Sequence, residues 1–553
     1  MSYGLLWIEG VAASLLGVAA VVAVSARISR RLWAGLFLLV ALALLGVILG
    51  APLALSAVLK FGARLAENWF GYCLSLFIVV FVGAVIILWR GRKRPAPGAA
   101  RAAALWPAGW LWVALLAMIM LHVMTFWNVD LAVRNDAANL RTEAGAMLLS
   151  VAPPQVEDER NAAVLYEKAF ARIKQDPSLQ GADSLLNQDD VDAAGPAVAQ
   201  LLNRHAITLR LLRQASTMPE CRFDHDFAHP SFSMLLPELN YCRNGAKLLA
   251  LSAKHEAIAG NTRQAIDDLN ALFRVGRGAG SDPIIVCNLV QIGIDGLGVK
   301  TVEAVLPHVS RAEDLQRLQI GDVDAARRQA RRSLFGEEAF GLSIFSDLGS
   351  GRLTMMALMN DIRPQGPNSG AGDIPPLPML LRIFVLPSDV QAYKQYLERC
   401  QEQVQEPFTP TTIEQATDGG IKAAHHGLLT STIVPALQRY LERAAMDEAS
   451  RATALTGVAV DRYRLDHGGA FPARLDALVP QYMDDVPLDP FDGHPLRLVV
   501  RNDQAQIYSI GPDLKDNAGA PFDDHKKTGD MMFTVSAVAN AHTAPASAPA
   551  ERQ

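Results

Sequence analysis

The sequence predicts a multi-domain membrane protein: four transmembrane α-helices, an all-α middle domain, and a C-terminal α+β domain in which a long helix lies on a small antiparallel sheet. Three observations predict it. Four long apolar runs open the chain, the middle follows a helical period interrupted by prolines, and the C-terminal part changes to two-residue alternation. The divisions fall at 1–128, 129–430 and 431–536, with a tail at 537–553.

The apolar runs are Leu5 to Ser25, Leu32 to Leu59, Trp69 to Leu88 and Ala104 to Trp127. Each approaches or exceeds the ~20 residues that a helix needs to cross a bilayer. Half of all residues are hydrophobic, in keeping with the membrane class. Basic loops orient the spans. Arg27, Arg30 and Arg31 follow the first, and Arg90, Arg92, Lys93, Arg94 and Arg101 follow the third. Between the second and third stand only Lys60 and Arg64, against Glu67. The positive-inside rule places the two basic loops in the cytoplasm, so residues 129–553 are expected outside a cytoplasmic (inner) membrane, in the periplasm.

Charge narrows the partners. Residues 1–128 carry ten Lys or Arg against Glu9 and Glu67, and with a net charge of −5 for the whole chain the remainder carries −13. An acidic soluble part lacks the basic surface that displaces counterions from nucleic acid, so no nucleic-acid partner is expected. Membrane lipid and protein partners are. Cys221, Cys242, Cys287 and Cys400 are widely spaced without metal-ligand spacing and read as buried thiols, with one disulfide open to them in an oxidising compartment.

In the middle region, Leu249, Ala253 and Ala257 recur four apart, Gly260-Asn261 breaks the pattern, and Ala265, Leu269, Leu272 and Phe273 resume it. The spacing predicts a helical hairpin over Ala246 to Arg277. NAAVLYEKAFARI, from Asn161, predicts another helix. The pair resembles tetratricopeptide repeats, with Gly260 at the turn and Ala265 where two helices approach. The resemblance implies a surface for peptides or partner proteins, although the period is not sustained into an array.

Two histidine clusters are candidates for metal chemistry. FDHDFAHP places Asp224, His225, Asp226 and His229 together, and on a helix the two histidines would share a face. Phe223, Phe227 and Pro230 argue for a loop instead. His425-His426 are adjacent and would point apart on a helix. No Walker loop, dinucleotide fingerprint, nucleophile elbow or HExxH zinc motif occurs.

The C-terminal stretch has the clearest order. Leu455, Val458, Ala459, Tyr463 and Leu465 give a helix one apolar face, expected to run from Pro435 to about His467, and Gly468-Gly469 stop it. A short LDALVP helix follows. Pro487 and Pro490 hold the chain extended around Asp489. Leu496, Leu498 and Val500 alternate with Arg497 and Val499, and Asn502-Asp503 predicts a hairpin turn into QIYSIGPD. SIGPDLKDNAGAPFDDHKKTGD then offers Asp513, Asp516, Asp523, Asp524 and Asp530 before a DMMFTV strand. Calcium takes six to eight oxygens, which these carboxylates and a loop carbonyl such as that of Ile510 are expected to supply. Alanine, proline and small polar residues in the tail predict disorder there.

Taken in order, these parts resemble the soluble domain of the major pseudopilin of type II secretion systems, over about a sixth of the chain. The resemblance implies a calcium site with Asp513, one of Asp523 or Asp524, and Asp530 opening the last strand. A pseudopilin begins with a basic leader and one apolar helix. Here the resembling part is C-terminal, and GLLTSTIVPAL before its helix is too short to span.

Two functions follow. The first is a non-enzymatic multi-pass membrane protein that presents a helical partner-binding domain and a pseudopilin-like domain outside the cytoplasmic membrane, as an accessory of type II secretion or an envelope scaffold. The alternative is an extracytoplasmic metal-dependent hydrolase using the Asp224–His229 cluster.

Overall fold

The computed structural model describes residues 134–176, 195–230, 236–350, 352, 386–404, 430–501 and 503–537. These are mostly helical, with one three-stranded antiparallel sheet. The four expected spans, the tail from 538, the His425-His426 pair and the proline-rich stretch 364–378 lie outside the described residues. Asn139–Ser346 and Asp389–Gln553 make one compact unit, which contains the core, the sheet and the sites discussed below.

In chain order the helices are α1 (134–151), α2 (Ala162–Gln175), α3 (Pro196–Arg204), α4 (Ala206–Ser216), α5 (Glu238–Ile258), α6 (Thr262–Ala279), α7 (Ile285–Val305), α8 (Ala312–Leu315), α9 (Val323–Ser350), α10 (Leu386–Gln403) and α11 (Thr430–Asp466). Helix α2 begins where expected because the Asn161 side chain caps it, accepting from the Ala163 amide at 3.1 Å. The expected hairpin is α5 and α6, turning at Gly260-Asn261. Its predicted apolar residues Leu249, Ala253, Ala257, Ala265, Leu269, Leu272 and Phe273 are all buried. Helix α7 packs on both members of this pair.

Among the described residues, Ile285–His308 is the one stretch long and apolar enough to cross a bilayer, and more than half of its most apolar window is buried inside the protein. That burial suits a core helix. Its polar residues Asn288, Gln291, Asp295 and Thr301 are buried as well and take protein partners.

Helix α11 starts upstream of Pro435, which lies inside it rather than at its head. The cause is a cap that the sequence pattern does not show: the Asp389 carboxylate accepts from the Thr430 amide at 3.1 Å and the Thr430 hydroxyl bonds the same group. The helix ends as expected before Gly468 and Gly469, both at positive φ.

Strands β1 (Arg497–Arg501), β2 (Gln504–Ser509) and β3 (Met531–Ser536) form the sheet in that order. The β1–β2 hairpin runs in register from Arg497↔Tyr508 to Arg501↔Gln504, with Asp503 in the left-handed region its turn requires. Ala505, Ile507, Phe533 and Val535 are fully buried beneath α11, each larger one stabilising by about 1.5–3 kcal/mol. Gly457 lets the helix come this close, since a Cβ there would lie 2.2 Å from the Phe533 ring. One apolar core runs from α2 through α5, α6 and α7 to α11 and the sheet, across the expected division at 430/431.

Candidate functional site

Residues 221–226 have no regular structure and 227–229 form a turn. Three contacts fix this loop. Asn161 bonds the Arg222 backbone in both directions at 2.9 Å, Phe223 and Pro230 are buried, and Phe227 packs between Leu148 of α1 and Ala339 of α9. His225 is thereby turned inward, while His229 stays outside with a 70% exposed side chain paired to Asp226 at 3.0 Å. Asp224 is exposed. The expected Asp224–His229 set does not converge, because the loop conformation separates what a helix would have aligned.

His225 instead meets two carboxylates that sequence spacing did not nominate. Its Nδ1 lies 2.6 Å from Asp282 Oδ2, in the α6–α7 turn, and its Nε2 lies 3.6 Å from Glu238 Oε1, in the first turn of α5. All three side chains are at least nine-tenths buried. Burial alone would lower the His225 pKa, but its bonds to Asp282 and Glu238 outweigh that and push it up to about 10. Both ring nitrogens donate only in the imidazolium.

His225, Glu238 and Asp282 are the group among the described residues whose ligand atoms could gather around a metal ion, and Asp282 Oδ1 is buried without a partner. Yet each ring nitrogen faces a carboxylate, so a metal ion would have to replace one of the two ring protons that these carboxylates attract. A hydrolytic metal also needs an open position that a substrate can reach, and these side chains are enclosed. The arrangement suits a buried charge clamp joining the loop to α5 and to the α6–α7 turn.

The acidic loop between β2 and β3 is ordered by its own aspartates. Asp513 accepts from the amides of Lys515 and Gly529 and from the Asn517 side chain, and Asp530, fully buried, accepts from the amides of Asn517 and Gly519. Backbone amides hold Asp513 below the usual carboxylate range against some burial, whereas burial raises Asp530. Asp516 bonds Ala518 and Tyr508 and lies 3.4 Å from Arg497. Asp523 and Asp524 are turned to Lys526, Lys527 and Arg443. The Ile510 amide donates to Asp489 at 2.8 Å. Every carboxylate of the loop is thus engaged by a protein donor.

Asp489 shows in the sequence only as a residue between two prolines. It is fully buried and accepts from the Phe491 amide, the Ser509 hydroxyl, the Ile510 amide and Arg497, so it pins the linker to the end of β2. A second buried carboxylate system joins α7 to α11. Arg451 of α11 bonds Asp447 at 2.9 Å and reaches Asp295 of α7, all three within 5% exposure. It ties the helical layers to the helix that carries the sheet. The four described cysteines are free thiols, Cys242, Cys287 and Cys400 buried and Cys221 half-buried.

No protein-family description, curated protein or solved structure matches this chain.

Proposed function

We propose that this chain is a non-enzymatic, multi-pass membrane protein whose described part is a protein-binding body held outside the cytoplasmic membrane, serving type II secretion or envelope scaffolding. The observation that carries the reading is α11. One of its faces covers the β2–β3 core, helix on sheet, and the same helix packs on α7 and shares the Arg451 ion system with it. A helical layer and a sheet joined through one buried helix make a rigid surface rather than two modules on a linker. The His225, Glu238 and Asp282 side chains are at least nine-tenths buried, which favours this reading over the hydrolase. Strand β1 is an edge of the sheet, with Val500 46% exposed on it and Leu488 54% exposed on the preceding linker. Among the described residues no strand pairs with the outer side of β1, and a strand edge with exposed apolar side chains is a place for another chain to add.

The test uses the full chain in native membranes. A photo-crosslinking amino acid at Val500 should yield one discrete protein adduct, abolished by Leu488→Asp, and alkaline phosphatase fused after Pro549 should be active. An inactive phosphatase beside a fluorescent cytoplasmic fusion at the same place, or crosslinks to lipid alone, would overturn the proposal.

A further inference from the structure

A cleft of about 150 Å³ opens between α2, α4, α6 and the segment that follows α4. Its polar side is unusual in charge. Arg274 and Arg277, three apart on α6, both line it, and among the described residues neither has a hydrogen bond or an ion pair. The acid in the wall, Glu220, is committed to Arg160 at 2.5 Å. Asp295, which attracts Arg277 from a distance, is committed to Arg451. Burial and the neighbouring Arg274 push Arg277 below the usual guanidinium value, which marks the pair as short of negative charge. Ser281 adds a hydroxyl on the same wall, its Oγ buried without a partner. The apolar part of the lining includes Tyr166, Ala162 and Met218.

Two half-buried guanidinium groups side by side, a buried hydroxyl with nothing to bond, and an apolar wall form a complement to one kind of molecule. We propose that this cleft binds an organic carboxylate, its head between Arg274, Arg277 and Ser281 and a short apolar body against Tyr166 and Met218. Guanidinium groups match a carboxylate through paired, charge-assisted hydrogen bonds. The small volume admits a carboxylate with a few carbons, whether free or at the end of a peptide chain.

The cleft carries its own reporter, since the half-buried Cys221 thiol lies in its wall while Cys242, Cys287 and Cys400 are buried. The full chain in detergent is treated with methyl methanethiosulfonate, and modification of Cys221 is followed by peptide mass spectrometry with added hexanoate, N-acetyl-leucine, N-acetyl-leucine amide or inorganic phosphate. Hexanoate or N-acetyl-leucine should slow modification saturably, the better of the two separating a free acid from a chain terminus, and the neutral amide should not. Arg274→Gln should raise the half-saturating concentration about tenfold or more. That variant leaves the Arg451 system untouched, and an unchanged melting temperature certifies its fold. The proposal is overturned if neither acid protects Cys221, if the amide protects as well as the acid, if phosphate outcompetes both acids, or if Arg274→Gln changes nothing.

Discussion

Replacing Gly457 by alanine sets two effects of known size against each other. In a helix interior the change should stabilise by about 1 kcal/mol. Here the new Cβ would stand 2.2 Å from Cδ1 and 2.5 Å from Cε1 of Phe533, where carbon atoms prefer ~3.5–4.0 Å. The ring cannot retreat, because Phe533, its partner Ile507 and Val535 are all fully buried. Overpacking costs about 1–3 kcal/mol, and a contact this far inside van der Waals distance belongs at the upper end, about 2–3 kcal/mol, so the clash should win by roughly 1–2 kcal/mol. All eight tryptophans lie in residues 1–128, so fluorescence would report on the wrong part of the chain. Hydrogen exchange of β2 and β3 amides in the full chain is the suitable assay, and Gly457→Ala should speed it by about 5–30-fold. Gly293 on α7, where an added Cβ meets nothing within 4 Å, supplies the control: alanine there should leave exchange unchanged or slower. Exchange unaffected by Gly457→Ala would show that α11 does not lie on the sheet at this distance.

Removing Arg451 should matter more than its single positive charge suggests: Arg451→Met leaves Asp295 and Asp447 buried without their cation, a loss of about 3–5 kcal/mol in denaturant unfolding followed by circular dichroism, and a loss under 1 kcal/mol would mean that the site is hydrated. His225 makes stability depend on pH. Its folded pKa, about 10, lies above the unfolded value near 6.5, so the stabilisation is fully present below pH 6.5 and is lost as pH rises through 10. Between pH 7 and 8, mostly below the titration of thiols in the unfolded chain, stability should fall by up to about 1.4 kcal/mol, and His225→Gln should flatten that slope; an equal slope in both proteins would remove the clamp. For the acidic loop, donors already on Asp513 and Asp530 lead us to expect melts that coincide in calcium and in chelator, whereas a rise of several degrees in calcium that Asp513→Ala abolishes would place the ion there.

What could be read from the sequence were the features that local spacing encodes. The α5–α6 hairpin followed from Leu249, Ala253, Ala257 and the Gly260-Asn261 break, and the β1–β2 pairing from alternation around Asp503, because in both cases the partners are neighbours in the chain. The start of α11 could not be read that way. Pro435 is a good local signal for a helix head, but the cap that sets the start comes from Asp389, forty-one residues earlier. The candidate metal cluster failed for the same reason. Its histidines were grouped by proximity in sequence, and the carboxylates that His225 meets come from two other elements.

Buried charges show why such partners are hard to foresee. Asp295 stands in a run of apolar residues and glycine that reads as core or membrane, and Arg451 in a helix that otherwise shows only an apolar face. Neither position distinguishes a solvated charge from a buried one, since the same side chain would be harmless on the surface and costly alone in the interior. Arg451 already has Asp447 on its own helix, so the meeting of α7 with α11 matters most for Asp295, whose buried charge is met by Arg451 when the two helices dock this way. A charge pair of this kind adds little net stability over an apolar pair of the same shape. It does penalise any docking of the two helices that leaves one charge alone. The Arg451 system therefore acts on specificity of assembly, fixing how α7 meets the helix that covers the sheet.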